Sequence, residues 1–461
     1  MANMHSLLNV LVFLGLLASL VAAAPSQIQK RSFKVPRVKN ENFKGHNGPR
    51  QLLKAYRKYS MPIPAALLDA IRNGQGSATS EAEDVTVSAV QTKAKGKGRG
   101  RKGKGAGTGG NAGNTGNTGN TGNAGNTTVS TNSTAGVGLV TATPEANDVE
   151  YLSPVTIGGQ TLNLDFDSGS SDLWVFNTQL SNQATTGHTL YDPTQSSTFK
   201  LLQGASFSIT YGDGSGAAGN VGTDTVSLGG ATVTEQAIEM ATAVSDSFIQ
   251  DTANNGLLGL AFSQLNTVKP QQQKTFFDNV IPSLNEPVFT ADLRKEATGA
   301  YEFGRIDTSK FTGQMTWVPI NTTQGFWQFS STQFAVGTGA AQQGAADGQA
   351  IADTGTTLIL ASTETVNGYY SQVQGAVDDQ QVGGVTVPCD ADLPDLMLDV
   401  GGTMAKVKGS DIVFAQVQDN TCFGGLQATT SSLQIYGDIF FKSQFVAFNG
   451  GNNSIGIAEH I

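Results

Sequence analysis

The chain repeats itself once. Asp167-Ser168-Gly169-Ser170-Ser171-Asp172-Leu173-Trp174-Val175 has a counterpart in Asp353-Thr354-Gly355-Thr356-Thr357-Leu358-Ile359-Leu360. Each copy follows a strand-like run, and each is answered downstream by two apolar residues and a glycine. Gly259 of Leu257-Leu258-Gly259 stands 92 positions after Asp167, and Gly437 of Ile435-Tyr436-Gly437 stands 84 after Asp353. One Asp-Ser/Thr-Gly alone is most often just a turn. Two copies in matching surroundings specify two similar halves, each offering one carboxylate to a pseudo-symmetric pair.

The texture between the copies is that of β structure. Short alternating runs recur, as in Leu162-x-Leu164-x-Phe166, Phe207-x-Ile209-x-Tyr211, Met315-x-Trp317-Val318 and Phe445-Val446-Ala447-Phe448. Gly, Asn, Asp and Ser separate them, which is a strand-and-turn pattern. Helical pieces are few. Val366, Tyr369, Tyr370 and Val373 follow helical spacing behind a candidate N-cap, Ser362, and Thr275 to Leu284 reads as a second short helix. Some 327 residues of mostly strand are too many for one sandwich. The expected fold is all-β and bilobal, with lobes at about 135–310 and 311–461.

The front of the chain differs in kind. Residues 1–134 hold 18 Lys and Arg against 5 Asp and Glu, a balance of +13, whereas residues 135–461 hold 10 against 32, a balance of −22. The acidic body repels nucleic acid and anionic membrane at neutral pH. Leu7 to Val21 is an apolar run followed by Ala22-Ala23-Ala24-Pro25. It is short for a bilayer span and has a small-residue exit, so residues 1–24 read as a secretory signal peptide. Residues 25–134 read as a basic propeptide. Within it, Leu52, Leu53 and Tyr56 have helical spacing, and 93–127 is a low-complexity linker of Lys/Gly/Arg and Gly-Asn-Thr composition that cannot offset ordering entropy. A positive segment tied to a negative body associates with it, and protonating carboxylates weakens that attraction.

If the two halves bring Asp167 and Asp353 together, both cannot stay ionised. Like charges in one site raise one of the two pKa values, leaving one acid and one base that share a proton. Such a pair activates a water and protonates a departing amine with no covalent intermediate. Gly169 and Gly355 permit close approach of the turns, and the hydroxyls of Ser168, Ser170, Thr354 and Thr356 are placed to bond the carboxylates or the opposing backbone.

With these residues in view, the body resembles a pepsin-type aspartic endopeptidase of the secreted fungal kind, over essentially all of 135–461. The resemblance implies that Asp167 and Asp353 are the catalytic pair. It implies that Tyr211-Gly212-Asp213-Gly214 is the flap, with Tyr211 tied to Trp174 and Asp213 favouring Lys at P1. It gives Cys389 and Cys422 as the C-lobe disulfide and Phe326-Trp327-Gln328 as a border of the primed subsites. Lys58 followed by Tyr59 resembles the family's inhibitory propeptide element, with Lys54 as the alternative. Ser168 departs from the family's usual Thr: it keeps the hydroxyl and loses a methyl. The implied enzyme is secreted as a zymogen, monomeric, needs no cofactor or metal, and cuts polypeptides at hydrophobic P1 and P1′. The surroundings of Tyr211, Leu257, Phe326 and Ile351 are expected to be apolar subsites.

Other signals carry less. Gly214-Ser215-Gly216-Ala217-Ala218-Gly219 fits a dinucleotide-loop pattern, but Val221 to Leu228 reads as strand, so no helix N-terminus faces a phosphate. The body histidines, His188 and His460, lack metal-ligand spacing and are expected in surface or local hydrogen bonds. Two cysteines exclude a Cys₄ zinc site. Asn126, Asn132, Asn321 and Asn452 open glycosylation sequons. Ser454 to Ile461 reads as a strand end and not a lipid-anchor tail. A catalytically silent binding protein of the same fold is the competing class; it would be expected to lack an aspartate or the flap tyrosine.

Overall fold

A computed structural model describes residues 48–73, 137–145, 150–211 and 215–461. The signal-peptide segment 1–24, the linker 93–127, Gly212, Asp213, Asn126 and Asn132 lie outside the described residues.

Alternation of apolar and polar residues produces the strands, and their buried faces produce the lobes. Leu162, Leu164 and Phe166 all point inward from the strand Gln160–Asp167, while Thr161 and Asn163 face out. Thirteen strands form one sheet. Its order runs Thr316–Pro319, Ser454–Glu459, Gln444–Asn449, Val288–Arg294, Ala297–Phe303, Gly138–Pro144, Tyr151–Ile157, Gln160–Asp167, Gly256–Gly259, Leu173–Val175, Ala231–Val244, Gly216–Leu228, Lys200–Thr210. A second lobe is built on a five-stranded sheet ordered Gln328–Ser330, Gln349–Ala352, Leu433–Tyr436, Ile359–Ala361, Leu426–Ala428, with two four-stranded sheets beside it.

The repeat read in the sequence is a repeat in topology. Gln160–Asp167 lies parallel to Gly256–Gly259, which pairs antiparallel with Leu173–Val175. Gln349–Ala352 lies parallel to Leu433–Tyr436, which pairs antiparallel with Ile359–Ala361. In both, the strand ahead of the aspartate and the strand after it flank the apolar-apolar-Gly strand. The fold is the bilobal all-β arrangement expected.

The lobes share more than a cleft. Gln444–Asn449, from the second half of the chain, pairs with Val288–Arg294 from the first. Phe289 stacks on Phe448 at 4.4 Å between ring centroids, and Trp327 packs edge-on against both. Aromatic burial of this size ties the halves into one core. The short helix Thr363–Tyr370 starts where Ser362 Oγ accepts from Thr365 N at 3.2 Å, and it buries Val366, Tyr369 and Tyr370. The Thr275–Leu284 piece is a five-residue helix, Phe276–Val280, followed by a 3₁₀ turn, Ile281–Ser283. Pro282 within that turn explains why the α-helix stops.

Ahead of the body, the helix Gly48–Lys58 buries Leu52, Leu53, Ala55 and Tyr56, and Ala65–Asn73 buries Leu67 and Ala70. They join the main core cluster and do not stand apart from it. Tyr56 Oη donates to the Ala428 carbonyl at 2.6 Å, and Thr430 Oγ1 donates to the Pro62 carbonyl at 2.6 Å. No helix among the described residues is long and apolar enough to cross a membrane.

Candidate active site

Asp167 ends its strand, and its backbone carbonyl accepts from Leu260 N at 2.8 Å, just after the Leu-Leu-Gly strand. Asp353 N donates to the Tyr436 carbonyl at 3.1 Å in the equivalent place. Each turn then closes on its own carboxylate. Asp167 Oδ1 accepts from Gly169 N at 2.8 Å and Oδ2 from Ser170 Oγ at 2.6 Å. Asp353 Oδ1 accepts from Gly355 N at 3.1 Å and Oδ2 from Thr356 Oγ1.

The other two hydroxyls cross between lobes. Ser168 N donates to Thr354 Oγ1 at 3.1 Å, and Thr354 N donates to Ser168 Oγ at 2.9 Å. Ser168 Oγ donates on to the Ala352 carbonyl at 2.9 Å, and Thr354 Oγ1 to the Phe166 carbonyl at 2.5 Å. The hydroxyls expected near the carboxylates thus divide: Ser170 and Thr356 bond them, while Ser168 and Thr354 bond the opposing backbone. The glycines are required by proximity. A Cβ on Gly169 would sit 2.5 Å from Asp353 Oδ1, and one on Gly355 would overlap the Asp167 carboxyl.

One ammonium touches both acids. Lys58 Nζ lies 2.8 Å from Asp167 Oδ1 and 3.0 Å from Asp353 Oδ2. The two carboxyl oxygens are therefore no farther apart than those two contacts laid end to end. Tyr59 Oη donates to Asp353 Oδ2 at 2.5 Å, and its ring packs on Phe326 at 5.8 Å. The environments split the pair. Burial pushes Asp167 up, the Lys58 charge pulls it back, Asp353 pushes it up again, and the net direction is upward. Asp353 meets the same burial, but Lys58, Thr356 and Tyr59 together bring it down to about 2. More donors on Asp353 make it the easier carboxylate to ionise.

Tyr211 is buried beside this site and accepts from Trp174 Nε1 at 2.9 Å. Phe248 packs edge-on against both rings. Behind Trp174 lies a second acid pair, Asp172 and Glu239, each bonded to Asn266 Nδ2 at 2.9 Å. Burial and then the Asp172 charge hold Glu239 well above the usual range.

The family model for eukaryotic aspartyl proteases matches residues 150–460. The chain belongs to that family. It is 44% identical to a putative aspergillopepsin A-like aspartic endopeptidase of Aspergillus fumigatus, across 99% of this chain and 100% of the relative. It is 43% identical to endothiapepsin of Cryphonectria parasitica, across 93% and 90%. It is 49% identical to penicillopepsin-1 of Penicillium rubens, across 71% and 82%. The protein is thus an aspartic-type endopeptidase, a hydrolase of peptide bonds.

The protease carries the Cys389–Cys422 disulfide. Asn321 and Asn452 are both exposed, so their sequons are accessible. Phe326 faces Tyr59, but Trp327 turns inward and donates to the Leu260 carbonyl at 2.9 Å. Leu257 and Ile351 are buried. His188 stacks on Phe176 at 3.8 Å and bonds the Asn254 and Ile249 carbonyls. His460 is buried and makes the local hydrogen bond expected of it, to the Phe441 carbonyl at 2.9 Å.

Sequence reasoning missed one group. Lys54, weighed only as a substitute for Lys58, pairs elsewhere: its Nζ lies 2.7 Å from Glu150 Oε1. Glu150 stands with Glu145, Asp165 and Asp251 beside the dyad. The usable signal was the Asp165-Phe166-Asp167 spacing, which puts two carboxyls on one strand face.

Proposed function

We propose that Asp167 and Asp353 are the catalytic pair of a peptidase made as an acid-activated zymogen and secreted through the signal peptide 1–24. The single observation that carries this reading is the Lys58 ammonium held by both carboxylates. A point equidistant from the two acids is where a nucleophilic water is gripped. The ionised carboxylate takes a proton from that water as its oxygen attacks the scissile carbonyl. The protonated partner gives its proton to the carbonyl oxygen. In the second step one diol hydroxyl gives its proton to the carboxylate left ionised, the C–N bond breaks, and the departing nitrogen receives the proton first taken from the water, which restores the singly protonated pair.

An extended peptide enters the cleft by main-chain pairing, with Tyr211 and Trp174 in the flap network and apolar side chains favoured at P1 and P1′. Asp213 adds acceptance of Lys at P1. Residues 25–134 are the propeptide, and Lys58 with Tyr59 its inhibitory element. That reading is supported by their seat on the dyad and by the opposite charges of front and body. Asn321 and Asn452 are glycan acceptors on the exposed surface.

The test is incubation of the secreted chain at pH 3 to 4, followed by mass and N-terminal sequence. The wild type is expected to shorten and then cleave a denatured protein, with a statine-type mimic blocking both. Asp167→Asn and Asp353→Asn are expected to lose about 10²–10⁴-fold or more in rate. Equal processing and hydrolysis by either variant rejects the pair.

A further inference from the structure

The propeptide helix makes two ion pairs with the body, a buried one at the dyad and a half-buried one beside it. One helical turn before Lys58, the Lys54 ammonium meets Glu150. Carboxyl oxygens of Glu145, Glu150 and Asp251 lie within 4.8 Å of one another. Asn254 Nδ2 donates to Glu150 Oε2 at 3.2 Å. Asp165 closes the group on the dyad side. It is 2% exposed, and among the described residues its Oδ1 meets no hydrogen-bond donor. A buried carboxyl oxygen without a donor is costly and calls for a partner.

The electrostatics fit a site for one cation. Burial first, then the Asp251 and Glu150 charges, push Glu145 up to about 9. Burial and then Glu150 push Asp251 up to about 7 and Asp165 well above its usual range. Lys54 pulls all three back down. Glu145, Asp165 and Asp251 thus favour their protonated forms, and the ammonium paired with Glu150 relieves all three. A cavity lined by Lys54, Glu150, Asp165, Asp167, Tyr211 and Leu257 joins this cluster to the dyad.

We propose that the cavity is a substrate subsite for a Lys or Arg side chain, whose cation takes the position of Lys54, paired with Glu150 and donating to Asp165 Oδ1. The proposal rests on the reading of Asp167 and Asp353 as the catalytic pair. Spacing gives its position. Lys54 and Lys58 are neighbours on one helix face, about 5–6 Å apart at Cβ. In an extended peptide, side chains two residues apart on one face are separated by about 6.6 Å. The cationic side chain therefore belongs two positions from the residue over the dyad, the third from the cut. A role in propeptide docking alone accounts for Glu150 but leaves Asp165 Oδ1 without a donor.

The experiment uses the full chain after acid activation and peptides with Lys or norleucine at the third residue before the cut, or the third after it. At one of the two placements, kcat/KM is expected to favour Lys by about tenfold or more, the value of a charge-assisted contact. The Lys/norleucine ratio is expected to fall toward one in Glu150→Gln and to drop in Asp165→Asn. A wild-type ratio near one at both placements overturns the subsite, as does a ratio that survives Glu150→Gln. The wild-type comparison decides alone if a variant does not fold. Peptides cut without preference reject the subsite only, whereas no cutting of any peptide rejects the catalytic reading and the subsite with it.

Discussion

Ser168 and Thr354 satisfy each other's backbone: each main-chain N–H donates to the other's hydroxyl, at 3.1 and 2.9 Å, across the boundary between lobes. Both residues are buried. The carboxylates are thereby positioned by the opposite half of the chain as much as by their own strands.

Ser168→Ala tests this directly. It leaves the Thr354 N–H and the Ala352 carbonyl without their partner in a dry site, at about 1–3 kcal/mol for each group. The urea midpoint is expected to fall, with kcat falling more than KM rises. Ser168→Thr keeps the hydroxyl and is expected to stay near wild type. Equal losses in the two variants would point to packing and not to the bonds.

Lys58→Met removes the cation between the acids. Breaking a buried pair on one side costs about 3–5 kcal/mol. Asp353 is held at about 2 in the docked state, below the ordinary value of about 4, so its contribution is complete above 4 and is lost as pH falls through 2. Without Lys58 the largest of the influences that lower Asp353 is gone, and processing is expected to begin at higher pH. Mass spectrometry of the full chain across a pH series reads the shift. An onset unchanged from wild type, with Lys58→Arg as control, counts against the role.

Much of this was legible from the start, and the remainder was not for one reason. The doubled Asp-hydroxyl-Gly turns and the Leu257-Leu258-Gly259 and Ile435-Tyr436-Gly437 strands are local patterns, and the lobes and the dyad follow from them. Lys58 and Tyr59 were legible only through the likeness of their stretch to the family's inhibitory propeptide element. The pairing of Lys54 with Glu150 joins residues 96 apart through an ion pair with no periodic signature. The sheet partnership of Gln444–Asn449 with Val288–Arg294 is likewise set by tertiary packing, so the strands were readable but their neighbours were not.

The body is expected to be most stable in acid. Asp251 at about 7, Glu145 at about 9, and Asp165, Glu239 and Asp438 well above the usual range keep protons that the unfolded chain releases near pH 4. A carboxyl raised on folding favours the fold at low pH and withdraws that support as pH climbs. The thermal midpoint should fall from about pH 4 through 7 to 9. A maximum at pH 8 contradicts it.

Tyr211→Phe deletes the acceptor of the Trp174 indole N–H. The cost of the orphaned donor is about 1–3 kcal/mol. The expected result is a blue-shifted tryptophan emission change and a drop of about tenfold or more in kcat/KM at constant fold by circular dichroism. Unaltered kinetics would remove Tyr211 from the flap network.

The sheet that runs from Gln444–Asn449 back to Val288–Arg294, and the pairing of Gln349–Ala352 with Leu433–Tyr436, bear on how the chain is made. A ribosome releases residues 48–73 long before residues 433–459. The strand that leads into Asp353 meets Gln328–Ser330 early, but its other edge stays open until Leu433–Tyr436 has emerged, so the blade is completed only after its sheath has been waiting for some time.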